Sequence, residues 1–92
     1  MTPRAAEEVA LRLLGWLSEE PERLGPFLAA TGSGPDELRA AAADPAFLGF
    51  VLDHLLSDEE RLLEACAGAG IRPEDPMRAR AALPGGDAPH WT

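Results

Sequence analysis

Asp44-Pro45-Ala46-Phe47-Leu48-Gly49-Phe50-Val51-Leu52-Asp53-His54-Leu55-Leu56 is the stretch on which the fold turns. Asp44 before Pro45 reads as an N-cap with proline at the first helical position, where a missing N–H costs no hydrogen bond. Phe47, Leu48, Phe50, Val51, Leu52, Leu55 and Leu56 then cover well over half of the helix circumference. A helix apolar nearly all round is buried nearly all round. This segment is therefore expected to be the central rod of a helical core.

The rest of the chain agrees with a helical fold. Its 92 residues provide one small core and no second independent domain. Alanine (17) and leucine (14) make up a third of the sequence, whereas valine, isoleucine and threonine together number six and tyrosine is absent. A sheet would have almost nothing to build with. The expected fold is all-α, a compact bundle of five to six short helices over residues 1–83, followed by a flexible tail over 84–92.

Working outward from the central stretch, Thr2-Pro3 opens a first helix. Ala6, Val9, Ala10, Leu13, Leu14, Trp16 and Leu17 share one broad face of it, and Leu11 falls off that stripe. Glu20-Pro21 opens a second, carrying Leu24, Phe27 and Leu28. Pro26 inside it removes a donor, so a kink or a restart at Gly25-Pro26 is expected. Gly32-Ser33-Gly34 ends this helix, and Pro35-Asp36-Glu37 starts a short third with Leu38, Ala41 and Ala42 inward. Beyond the central rod, Ser57-Asp58-Glu59-Glu60 has the form of a capping box. It opens a fifth helix with Leu62, Leu63, Cys66 and Ala67 as its apolar edge, closed by Gly68-Ala69-Gly70. A last helix begins after Pro73 or at Asp75-Pro76 and runs to Leu83, stopped by Pro84-Gly85-Gly86.

The two halves share a cadence at an offset of 38 to 39 residues. Leu17-Ser18-Glu19-Glu20 matches Leu56-Ser57-Asp58-Glu59, Gly32 matches Gly70, and Pro35-Asp36-Glu37 matches Pro73-Glu74-Asp75. Such a period falls among those of helical repeats. It suggests two related three-helix halves with the first and fourth helices as the inner pair, although capping chemistry alone also puts serine, acid and glycine at helix ends.

Charge and chemistry narrow the function. Sixteen acids against eight bases, all arginine, give a net charge of −8. This disfavours nucleic acid and anionic membrane as partners. No apolar run approaches the roughly 18 to 20 residues needed to span a bilayer, and Glu7-Glu8 stand where an export signal needs an apolar stretch. A lone Cys66 among Leu62, Leu63 and Ala67 reads as a buried, reduced thiol, and the expected compartment is the cytoplasm. No His or Cys pair has metal-ligand spacing, and no lysine or strand accompanies Gly68-Ala69-Gly70 to make it a phosphate loop. No cofactor or metal is expected.

Two local patterns supply alternatives. Phe27 to Leu38 has the glycine turn and trailing leucine of a DNA-reading helix-turn-helix, but its would-be recognition helix begins with Asp36 and Glu37, which phosphates repel. His54, with Asp53 beside it and Asp58 one turn on, has the residue types of an acid–base site for an enzyme or a small ligand. A packed histidine is the competing reading.

The cadence of nearly the whole chain resembles a known family. It shows in Trp16-Leu17, Pro21-Glu22-Arg23-Leu24, Thr31-Gly32 before Pro35-Asp36-Glu37-Leu38-Arg39, Asp44-Pro45-Ala46-Phe47-Leu48, and Val51-Leu52-Asp53 before Leu55-Leu56. These residues resemble the short all-helical alphaproteobacterial proteins grouped as a domain of unknown function. Gly34 and Pro26 depart from that pattern. The resemblance implies a bacterial, cytoplasmic, all-helical protein and brings no activity with it.

The sequence therefore leads to a non-enzymatic protein–protein interaction or adaptor module, acting on a protein partner or as a homodimer. Leu11, Trp16, Phe50 and His54 are the expected interaction surface, because a domain this small leaves some apolar area uncovered. The alternatives are a DNA-associated regulator through the Gly32 turn and a small-ligand or enzymatic role through His54.

Overall fold

In the computed structural model, which describes residues 1–84, the helices begin where the sequence places proline or an acid. They are α1 (Pro3–Ser18), α2 (Pro21–Thr31), α3 (Leu38–Ala41), α4 (Pro45–Leu56), α5 (Glu59–Ala69) and α6 (Asp75–Ala82), with a 3₁₀ turn at Pro35–Glu37. Thr2 Oγ1 accepts from the Ala5 amide at 3.1 Å and Asp44 Oδ1 from the Ala46 amide at 3.0 Å. Each satisfies one of the donors that a helix start leaves open. Gly32 and Gly70 close α2 and α5 in the left-handed region, at φ 74° and 70°. Both stand where a side chain would be strained. The fold is a small all-α bundle, and among the described residues there is no strand. Of the expected tail over 84–92, residues 85–92, including His90-Trp91, lie outside the described residues.

Two long helices occupy the middle. α1 and α4 pack on each other, and each also meets α2, α5 and α6. α4 buries Phe47, Leu48, Gly49, Val51, Leu52 and Leu55; α1 buries Ala6, Ala10, Leu13, Leu14, Trp16 and Leu17. The expected central rod is accompanied by α1, giving the inner pair that the shared cadence suggested, because α1 is the longer helix and its stripe is as continuous. α4 is also less enclosed than its composition suggests, since Phe50 and Asp53 face outward.

Three further local expectations are corrected. Of the kink or restart expected at Gly25-Pro26, the restart does not occur, since α2 runs through Pro26; the carbonyl that Pro26 cannot satisfy is that of Glu22, an exposed residue within reach of water. The cap of α5 is Asp58, which accepts from the amides of Glu60 and Arg61 at 3.1 and 3.3 Å. Ser57 instead ends α4 and donates its hydroxyl to the His54 carbonyl at 2.7 Å. The inward face of α5 is Leu62, Ala65, Cys66 and Ala69, leaving Leu63 and Ala67 exposed. Moving the start of the helix by one residue does not by itself choose the face. Close approach to α1 does, because a Cβ on Gly68 would lie 2.4 Å from Trp16 Nε1.

The halves share a cadence but not a set of contacts. α6 lies against both α1 and α4, burying Pro76 and Ala79. Its counterpart α3 is a single turn that buries no residue completely, with Leu38 and Ala41 leaning on the edge of the core. Among the described residues no helix is long and apolar enough to cross a membrane.

Candidate functional site

The four residues expected to form one surface lie in four different settings. Leu11, on the outer side of α1, is 44% exposed. It lines a shallow depression of about 410 Å³ together with Gly15 of α1 and with Pro35, Leu38, Arg39 and Ala42 across from it. Phe50, on α4, is 56% exposed. It borders a second hollow of about 340 Å³ with Ala30, Thr31, Ser33 and Phe47. The two hollows have no lining residue in common.

Trp16 is not on an open surface. It is 7% exposed, with the Arg23 guanidinium 4.0 Å over its ring and Arg23 Nη1 donating to its carbonyl at 3.0 Å. Arg23 is held there by Glu20 at 2.8 Å and Glu19 at 3.4 Å. A cation over an indole face is attracted by the ring quadrupole. Helix periodicity placed Trp16 at the margin of its stripe; the covering arginine comes from the next helix, and a wheel drawn on α1 cannot show it.

His54 is half-buried in a small network. Its ring meets Phe27 edge to face, with centroids 5.3 Å apart, and Arg61 Nη1 lies 3.2 Å from its Nε2. A guanidinium can only donate, so Nε2 accepts and the imidazole in this geometry is neutral. Burial, and then the Arg61 charge, lower its pKa from the ordinary 6.5, while Asp58 pulls it upward. Asp53 is not its partner. Its carboxylate is occupied by Arg80, Nε to Oδ1 at 2.6 Å and Nη2 to Oδ2 at 3.1 Å, which ties α6 to α4. The arrangement therefore holds His54 as an acceptor for an arginine and commits Asp53 elsewhere.

The other singled-out residues also have structural settings. Cys66 is buried against the core, and burial raises its thiol pKa, helped by Asp75 and Glu74. In the helix-turn-helix-like stretch, the element after the Gly32 turn is the 3₁₀ turn Pro35–Glu37 leading into the four residues of α3. Glu37 folds back so that its Oε1 accepts from the Gly34 amide at 3.2 Å. The acidic cluster of Glu20, Glu22, Asp58, Glu60 and Glu64 lines one depression with Arg23 and Arg61. Among the described residues no group of His, Cys, Asp and Glu could hold a metal ion.

Sequence reasoning missed Arg39. It stands on the rim of the Leu11 depression and makes no ion pair among the described residues, whereas Arg23, Arg61, Arg72 and Arg80 each have an acidic partner. The signal available in the sequence was only that Arg39 follows the inward-facing Leu38.

Comparison with known proteins gives a family and little beyond it. A stretch of 66 residues, 71% of the chain, is 44% identical to part of D-serine dehydratase from Salmonella arizonae, and the chain spans only 14% of that protein's length. No solved structure matches the chain. Residues 3–86 match the family model described as protein of unknown function (DUF3572). That match takes in all six helices and both hollows, and the chain accordingly belongs to the DUF3572 family.

Proposed function

We propose that this protein is a small cytoplasmic interaction module that docks an amphipathic helix of a protein partner in the depression beside Leu11. The observation that carries the reading is the combination found there: an exposed leucine over small and apolar residues, with Arg39, which makes no ion pair among the described residues, as the charged group on the rim. Gly15 and Ala42 keep the floor low, and Leu11, Leu14, Gly15 and Ser18 give the α1 wall its i, i+3, i+4, i+7 spacing. Helix-in-groove docking uses such a wall, with apolar anchors at matching spacing on the partner. Arg39 selects a partner with a carboxylate flanking its apolar stripe, and charge at a rim sets specificity and on-rate more than affinity. A second copy of this chain would bring a further charge of −8 to the contact, which disfavours a homodimer. The short stretch shared with D-serine dehydratase covers too little of that enzyme to support an activity on D-serine.

The test compares wild type with Leu11→Asp, Arg39→Glu and Phe50→Asp in pull-downs from the source cell, with light scattering on each protein. The proposal expects a monomer whose captured protein is lost with Leu11→Asp and weakened about tenfold with Arg39→Glu, which reverses the rim charge. Phe50→Asp should retain it. Capture that survives Leu11→Asp, or a wild-type dimer that this substitution splits, overturns the proposal.

A further inference from the structure

α2 is the long helix with the smallest share of the core. Phe27 is its one fully buried residue, and it meets α1 and α4 but neither α5 nor α6 extensively. Two grips hold it. At its start Arg23 lies over Trp16 of α1, and at its middle Phe27 sits edge to face against two rings of α4, Phe47 at 5.6 Å and His54 at 5.3 Å. The second grip includes a titratable ring whose position depends on a third helix, because His54 Nε2 faces Arg61 of α5 at 3.2 Å.

We propose that the His54–Arg61 hydrogen bond is a pH-sensitive latch that keeps α2 seated on α4, closed while His54 is neutral and released when its ring takes a second proton. Protonation turns the acceptor Nε2 into a donor that points at a guanidinium, so the hydrogen bond becomes a clash of like charges. The groups around the ring determine the direction. From α5 they are Arg61 and, at its cap, Asp58. From α2, Phe27 makes the ring contact, and Arg23, Glu20 and Glu22 line the depression that Arg61 shares. On α4 itself Asp53 is engaged by Arg80 of α6 and so is not free to take over as the imidazolium's partner. Asp58, which caps α5 and lies 3.9 Å from Arg61, is the carboxylate that attracts the charged ring, and in the proposed release the ring gives up its contact with Phe27 to turn toward it. Such movement removes one of the two rings that cradle Phe27 and loosens the helix that covers Trp16. The latch is independent of what binds beside Leu11.

Trp16 reports the release, since Arg23 of α2 lies over its ring. The measurement uses the full chain carrying Trp91→Phe, titrated from about pH 7.5 to about pH 5.5, the range in which histidine changes charge. The expected result is a reversible change in Trp16 emission with a midpoint below 6.5 that vanishes in His54→Gln, whose amide oxygen still accepts from Arg61 but cannot ionise. A parallel NMR titration of the chain without a substitution at His54 guards against a variant that fails to fold: the His54 ring and the α2 amides should follow one curve. A His54 midpoint at or above 6.5, α2 amides that ignore it, or an emission change that persists in His54→Gln overturns the latch.

Discussion

α2 and α5 have equal length and equivalent places in the two halves, but the structure treats them differently. Each has 11 residues, an acidic N-cap and a left-handed glycine at its end. α5 presents Leu62, Ala65, Cys66 and Ala69, with Gly68 at the edge, to the α1–α4 pair. These small residues let α5 come close to Trp16, where interiors are dense and each contact adds dispersion energy. α2 presents Phe27 flanked by the partly buried Leu24 and Leu28, while Gly25 and Pro26 face solvent. One helix is held by close apposition along its length, the other by one large buried ring, two partly buried leucines and an arginine. Cadence in the sequence records where helices start and stop; how firmly a helix is held depends on the sizes of the residues at the contact.

The strongest challenge to that contrast is a pair of truncations. Leu52→Ala, in the fully buried part of α4, should cost about 3 kcal/mol and lower the melting temperature of the whole domain. Phe27→Ala should cost less than the ~3–5 kcal/mol usual for a buried phenylalanine. α2 can come away while the remaining helices stay together, and hydrogen exchange should rise in residues 21–31 first. Equal losses of exchange protection in α2 and α4 would show that the two are one cooperative unit.

A smaller effect sharpens the other side of the comparison. Gly68→Ala should destabilise by about 1–3 kcal/mol in chemical denaturation, although alanine is the better helix former. The new Cβ would fall 2.4 Å from Trp16 Nε1 and 2.6 Å from its Cδ1, and the indole is itself held under Arg23. No loss of stability would mean that α5 can recede without cost, against the close apposition described above.

The smallest expected effect concerns the tie between α6 and α4. Arg80 reaches Asp53 with two hydrogen bonds and also donates to the Pro84 carbonyl at 3.0 Å, but Asp53 is half exposed. Arg80→Ala should therefore cost only about 0.5–1 kcal/mol, and the difference from wild type should shrink in high salt. A larger, salt-independent loss would place the contribution in the packing of the guanidinium over Gly49.

Legibility differed from residue to residue for physical reasons. The starts of α1 and α4 were readable because Thr2-Pro3 and Asp44-Pro45 act within a few residues of themselves. The left-handed ends at Gly32 and Gly70 were readable for the same reason, as was the burial of Cys66 from its apolar neighbours. The start of α5 was misplaced by one residue because Ser57 and Asp58 are both competent caps, and the serine finds the His54 carbonyl instead. Of the expected surface, Leu11 and Phe50 are exposed, whereas Trp16 is covered by Arg23 and His54 is engaged by Arg61. Both covering arginines come from another helix.

Sequence by itself determined the all-helical class, the order and approximate limits of the helices, and most of the core face of α1 and α4. Each follows from local capping and from a 3.6-residue periodicity that needs no knowledge of neighbours. Only the tertiary structure decided that α5 turns Ala65 rather than Leu63 inward, and that, among the described residues, Arg39 makes no ion pair while Arg80 takes Asp53. These outcomes depend on distances between residues far apart in the chain, such as the 27 positions separating Arg80 from Asp53, and a periodicity read along one helix contains no such distances.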